Sequence, residues 1–103
     1  MNVRALTSQD IPLVSAWIVT IPLWQRYGLT AEKLNHQLTI ALDHEILLTI
    51  DAEEPAVGLA WCIPRGGFGR SAYLKMLGVR PDHSGKKIGA LLLEHLETLI
   101  TSA

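Results

Sequence analysis

The chain has 103 residues, enough for one domain with a modest core, and its 49% apolar, 18% charged composition is that of a globular protein. No run approaches the ~20 apolar residues that span a bilayer, and no apolar stretch follows a basic start, so neither a membrane span nor a secretory leader is expected. The net charge of −1 hides an uneven distribution: residues 1–64 carry three basic and seven acidic side chains, residues 65–103 six and three.

A basic second half implies an anionic partner. The basic residues are too few, and too little interleaved with aromatics, to point to nucleic acid. The single cysteine, Cys62, excludes an internal disulfide, and a soluble cytoplasmic protein is the expectation.

Residues 2–6 alternate and predict a first strand. Thr7 is a candidate N-cap with Asp10 three residues on as an acidic capping-box variant. Pro12 is tolerated early in a helix, and Leu13, Val14, Trp17 and Ile18 supply an apolar stripe. Residues 20–29 have no clean period, but they carry Trp24, Arg26 and Tyr27. These aromatics either cover the end of the core or, with the arginine, border a binding site. A second helix follows Thr30, with Leu34, Leu38, Ala41 and Leu42 at helical spacing.

Residues 45–50 predict a strand and 51–55 its turn, which takes in Glu53 and Glu54. Residues 56–64 predict the next strand, with Val57, Leu59, Trp61 and Ile63 on one face and Gly58, Ala60 and Cys62 on the other. Residues 65–70, RGGFGR, predict a hairpin loop, and residues 71–79 a strand with Tyr73, Lys75, Leu77 and Val79 facing one way. Residues 86–101 predict a helix through Ile88, Leu91, Leu92, Leu96, Leu99 and Ile100. The order β-α-α-β-β-β-α implies an α/β (α+β) fold, a mixed and mainly antiparallel sheet flanked by helices.

The chemistry concentrates in YLKMLGVRPDHSGKKIGALLLEHLE, residues 73–97. A strand ends at Val79, a turn follows, and a helix begins near Gly85 with Lys86 and Lys87 in its expected first turn. Positive charge there opposes the helix dipole, and Gly85 and Gly89 are poor helix formers. A bound anion would explain both, because helix-terminal N–H groups favour negative charge and glycines let a phosphate approach the backbone.

This segment resembles motif A of the GNAT acetyltransferases. Val79-Arg80-Pro81 matches the family's V-x-P turn, Gly89 the last glycine of its phosphate loop, and LLLEHLE its leucine-rich helix. Ser84 stands where the family prefers Gln or Arg and Lys87 where it prefers glycine, departures that bear on cofactor affinity more than on fold. The resemblance implies acetyl-coenzyme A as cosubstrate and acetyl transfer to a primary amine on a small molecule or peptide. The backbone of Leu77, Gly78 and Val79 would pair with the pantetheine arm as an added strand. Amides of Gly85, Lys86, Lys87, Ile88, Gly89 and Ala90 would hold the pyrophosphate, and the thioester would lie near the middle of strand 71–79.

In the family the connector between the first two helices borders the acceptor, so Trp24, Arg26 and Tyr27 are candidate acceptor-binding residues. The strands and tyrosine-bearing helix that follow motif A in the family have no counterpart here. Residues 1–103 are therefore expected to be a single, truncated acyl-coenzyme A-binding domain. No general base can be named, and a non-catalytic acyl-coenzyme A-binding or protein-interaction domain is the alternative. The edge left on strand 71–79 predicts a homodimer. The four histidines show no ligand spacing, so no metal is expected; His83 alone lies beside the anion site, and Cys62 is a small core residue.

Overall fold

The computed structural model describes residues 1–64 and 72–101; the expected 65–70 hairpin loop lies outside them. Four strands, β1 (Asn2–Ala5), β2 (Ile46–Asp51), β3 (Gly58–Pro64) and β4 (Ala72–Val79), form one antiparallel sheet in the order β1-β2-β3-β4. Helices α1 (Ile11–Ile18), α2 (Pro22–Arg26) and α3 (Ala31–Ala41) connect β1 to β2, and α4 (Ile88–Thr101) follows β4. The expected order holds, with two additions: the aperiodic connector contains the short α2, and a 3-10 turn, Pro81–His83, precedes α4.

Two apolar layers sandwich the sheet. One joins Val14, Trp17, Ile18, Leu34 and Leu38 to Leu47, Leu59, Trp61 and Met76. The other joins Ile88, Leu92 and Leu96 of α4 to Leu48, Ile50, Ala60 and Cys62. Period two on the strands thus feeds both layers, as a sheet covered on both faces requires. Gly58 lets α4 approach: a Cβ there would lie 2.8 Å from Ile50 Cγ2 and 2.9 Å from Leu92 Cδ1.

Local details correct the sequence reading. On α1 the buried stripe is Ile11, Val14, Trp17 and Ile18, whereas Leu13 is 46% exposed. Only half of the capping box forms. The Asp10 carboxylate accepts the Thr7 N–H at 2.8 Å, but the Thr7 hydroxyl donates to that carboxylate instead of accepting from the helix. Asp10 is engaged because Arg4 bridges it to Asp51, with Arg4 Nε donating to Asp51 at 2.7 Å. The Thr30 hydroxyl does cap α3, accepting from Lys33 N–H at 3.2 Å.

β3 begins two residues later than expected. Ala56 adopts φ +53° and donates its N–H to Asp51 at 2.9 Å, which ends the β2–β3 turn and turns Val57 into the α4 layer, away from Leu59 and Trp61.

Candidate functional site

Among the described residues, β4 lies at the edge of the four-stranded sheet and pairs only with β3. Its register slips once. Trp61 pairs with Met76 and Cys62 with Leu74, so Lys75 is one residue more than β3 can match. Such a bulge leaves its extra residue out of the ladder and bends the strand. It also overturns the single face expected for β4. Leu77 and Val79 pack into the α4 layer, whereas Lys75 lies on the other face with its ammonium 4.1 Å from the centre of the Trp61 ring.

Trp61 is 1% exposed, and its indole N–H donates to Glu45 at 2.7 Å. Lys75 and Glu45 line one cavity of about 270 Å³ with Trp61, Gln37, Ile40 and His44. Among the described residues no ion pair holds the Lys75 ammonium.

Past Val79 the chain makes the 3-10 turn and then a second turn that launches α4. Gly85 has φ +84° and Lys87 φ +61°, two left-handed residues flanking Lys86. The helix begins at Ile88, and the Lys87 carbonyl accepts the first helical N–H, from Leu91, at 3.1 Å. Lys86 and Lys87 therefore precede α4 and do not occupy its first turn. The glycine that a left-handed position favours is replaced by lysine at 87, which costs about 1–2 kcal/mol of backbone strain. Ile88 is buried, Gly89 half-buried, and Gly85, Lys86, Lys87 and Ala90 exposed. A Cβ on Gly89 would meet only Leu77 and Val79, each at 3.9 Å, so the protein's own packing does not demand glycine there. Gly78 faces the other layer, toward Trp17 and Ile18.

His83 is 3% exposed and is bound from both sides. Lys86 Nζ lies 3.5 Å from Nδ1, and Nε2 lies 3.2 Å from Glu54. An ammonium only donates, so Nδ1 is the acceptor and Nε2 carries the proton given to Glu54. Arg80 adds ion pairs to Glu54 at 2.8 Å and Asp82 at 2.9 Å. His83 and Arg80 hold the Glu54 carboxyl below its ordinary range. The Glu54, Asp82 and His83 ligand atoms come within 4.8 Å of one another, a grouping no sequence spacing announces. The Arg80 guanidinium pairs with both carboxylates, so the cluster ties the β4–α4 turn to the β2–β3 turn.

The connector residues separate. Trp24 packs partly against the α1/α3 layer and lies 6.1 Å from the Tyr27 ring. Tyr27 is 74% exposed, so it does not cover the core as Trp24 does. Arg26 is exposed at the end of α2 and makes no ion pair among the described residues. Cys62 is buried in the α4 layer, and burial pushes its thiol pKa up, as befits an unreactive core residue.

The profile of the acetyltransferase (GNAT) family matches residues 14–102. The chain belongs to that family. Among solved structures, a ribosomal-protein-alanine N-acetyltransferase from Brucella melitensis superposes with TM-score 0.77 at 24% identity, over 99% of this chain and 68% of that one. An aminoglycoside 6'-N-acetyltransferase complexed with coenzyme A gives 0.76 at 18%, over 99% of this chain and 56% of that one. A PaiA N-acetyltransferase from Thermoplasma acidophilum in complex with coenzyme A gives 0.69 at 21%, over 98% and 72%. At these identities the likeness is one of fold. This GNAT chain spans about two thirds or less of the first and second of these proteins. No curated protein sequence matches it. Among the described residues, no helix is long and apolar enough to cross a membrane.

Proposed function

We propose that this GNAT domain binds acetyl-coenzyme A along the outer edge of β4 and supports acetyl transfer to a primary amine. One observation carries the reading: an edge strand with a central bulge runs into a left-handed turn that opens a 14-residue helix. The outward backbone of Leu77, Gly78 and Val79 pairs with the pantetheine amides as an added strand would. The pyrophosphate lies against the amides of residues 85–90, at the positive end of α4, with Lys86 and Lys87 adding charge. The space beside Gly89 suits that approach, because the packing partners of a Cβ there, Leu77 and Val79, would each lie as far as 3.9 Å away.

The thioester then falls beside Lys75 and Met76, where the backbone left out of the ladder offers an N–H to polarise its carbonyl. Trp24, Arg26 and Tyr27 approach the acceptor, and the exposed guanidinium favours an acceptor that carries a carboxylate or phosphate. Metal takes no part in this reading, and a cytoplasmic site of action, where acetyl-coenzyme A is available, accompanies it.

Calorimetry with coenzyme A, acetyl-coenzyme A and dephosphorylated fragments tests the site. Salt-sensitive binding is expected, and no binding at millimolar ligand contradicts the reading. A second reading, binding without transfer, is favoured by one feature: β4 carries no carboxylate or imidazole to take the acceptor's proton. An amine panel decides between them, since turnover by the chain alone excludes the second.

A further inference from the structure

The one amine at the β4 bulge belongs to the protein itself. Lys75 is the extra residue of that bulge, and its side chain leaves the strand on the face opposite α4. Its ammonium rests on the Trp61 ring at 4.1 Å, at the wall of an open cavity shared with Glu45. No ion pair to a carboxylate pins it among the described residues, and Lys75 is itself exposed, so its side chain is free to leave the ring. The side chain is a flexible four-carbon stem anchored at the residue beside which the proposed thioester lies.

We infer that Lys75 is an acetyl acceptor in its own right, so that the chain modifies itself when it holds acetyl-coenzyme A. The inference rests on the cofactor position proposed above. The ammonium first gives a proton to water at the cavity mouth. The neutral amine adds to the thioester carbonyl carbon, the C–N bond forms and the C–S bond breaks. The sulfur leaves with the electron pair as thiolate, and the second proton lost from nitrogen neutralises it. The products are Nε-acetyl-lysine at position 75 and coenzyme A. The amide carries no charge, so the contact with Trp61 becomes apolar and the cavity loses its cation.

The test incubates the full chain with acetyl-coenzyme A and maps acetylated peptides by mass spectrometry, with calorimetry on the same preparation. The chain's lysines are Lys33, Lys75, Lys86 and Lys87. Acetylation of Lys75 is expected to exceed that of each of the others by about tenfold or more, the advantage of an amine held beside its reactant. It should be suppressed by free coenzyme A, by unfolding in urea, and by Gly89→Glu, which acts at the pyrophosphate end. Lys75→Arg keeps the cation over Trp61 and should lose the label at that peptide alone. Binding of acetyl-coenzyme A without preferential labelling of Lys75 overturns this inference and leaves the cofactor reading standing. Equal labelling in the unfolded chain overturns it as well, because the selectivity would then be intrinsic. Absence of binding removes both.

Discussion

Arg4 and Asp10 meet fork to fork: Nη1 donates to Oδ2 at 2.7 Å and Nη2 to Oδ1 at 2.9 Å, while the same guanidinium holds Asp51 from its other side. The pair joins β1 to the start of α1, and Asp51 adds the end of β2. Hydrogen bonding from Arg4 lowers the Asp10 carboxyl to about 2. In the unfolded chain the carboxyl titrates near ~3.9, so its contribution to stability is complete at neutral pH. It is lost as pH falls from about 4 through about 2, and amounts to the order of 2 kcal/mol. Urea unfolding from pH 7 to pH 2 should show that loss, and Asp10→Asn should be less stable at pH 7 and flatter with acid. An unchanged pH profile in the variant would assign acid sensitivity to other carboxylates, of which Asp51 and Glu54 are also lowered.

Gly58→Ala should destabilise the fold by about 1–3 kcal/mol, the usual range for overpacking. The new methyl would press on a β-branched methyl of Ile50, which cannot swing away, as well as on Leu92. Thermal or urea unfolding reads this directly. A neutral result would mean that α4 shifts on the sheet without loss.

Lys87→Gly should stabilise. Relief of the left-handed strain is about 1–2 kcal/mol, and the extra freedom of glycine in the unfolded chain takes back about 0.4–1 kcal/mol. A net gain near 1 kcal/mol is expected from chemical unfolding. Gly85→Ala, at φ +84°, should move the other way.

Gly89→Glu should abolish coenzyme A binding while helix content, read by circular dichroism, is retained. The Cβ fits at 3.9 Å from Leu77 and Val79, so the fold has room for it, but a carboxylate at the first turn of α4 repels a pyrophosphate. Binding as tight as in the parent chain would place the anion elsewhere. Lys86→Ala and Lys87→Ala should weaken binding more gently.

Purified chain should self-associate through β4. Among the described residues its outer edge has no partner strand, Tyr73 and Leu74 are 52% and 40% exposed, and Lys75 is the strand's single charge. Free N–H and C=O groups on such an edge template pairing. Because the same edge would take pantetheine, coenzyme A should shift sedimentation toward monomer. A monomer at high micromolar concentration contradicts this expectation.

The elements were legible because their apolar periods are long and locally consistent. Leu34, Leu38 and Ala41 mark α3, Ile88, Leu92 and Leu96 mark α4, and Thr30 marks a cap. The Val79-Arg80-Pro81 turn and Gly89 carry the family likeness in residue type alone. Other features depended on partners distant in sequence. Asp51 reads as a turn residue until Arg4, 47 positions earlier, claims it, and Glu54 reaches His83 across 29. The bulge was hidden by its own pattern, since Tyr73, Lys75, Leu77 and Val79 alternate as if one face ran unbroken. Left-handed backbone at Lys87 leaves no trace in residue type; the glycine that the family prefers at that position is the one hint of it.

That hidden bulge has a consequence for how the strand would respond to shortening. Remove Lys75 alone, and Leu74 and Met76 become neighbours that already face Cys62 and Trp61. The ladder from Gly58 to Pro64 would close without a gap, and inward and outward side chains would alternate along its whole length. A chain one residue shorter would thus make the more regular sheet. What deletion would take away is the amine over Trp61 and the local irregularity beside which the proposed chemistry sits. The surplus residue is a feature that pairing geometry alone gives no reason to keep.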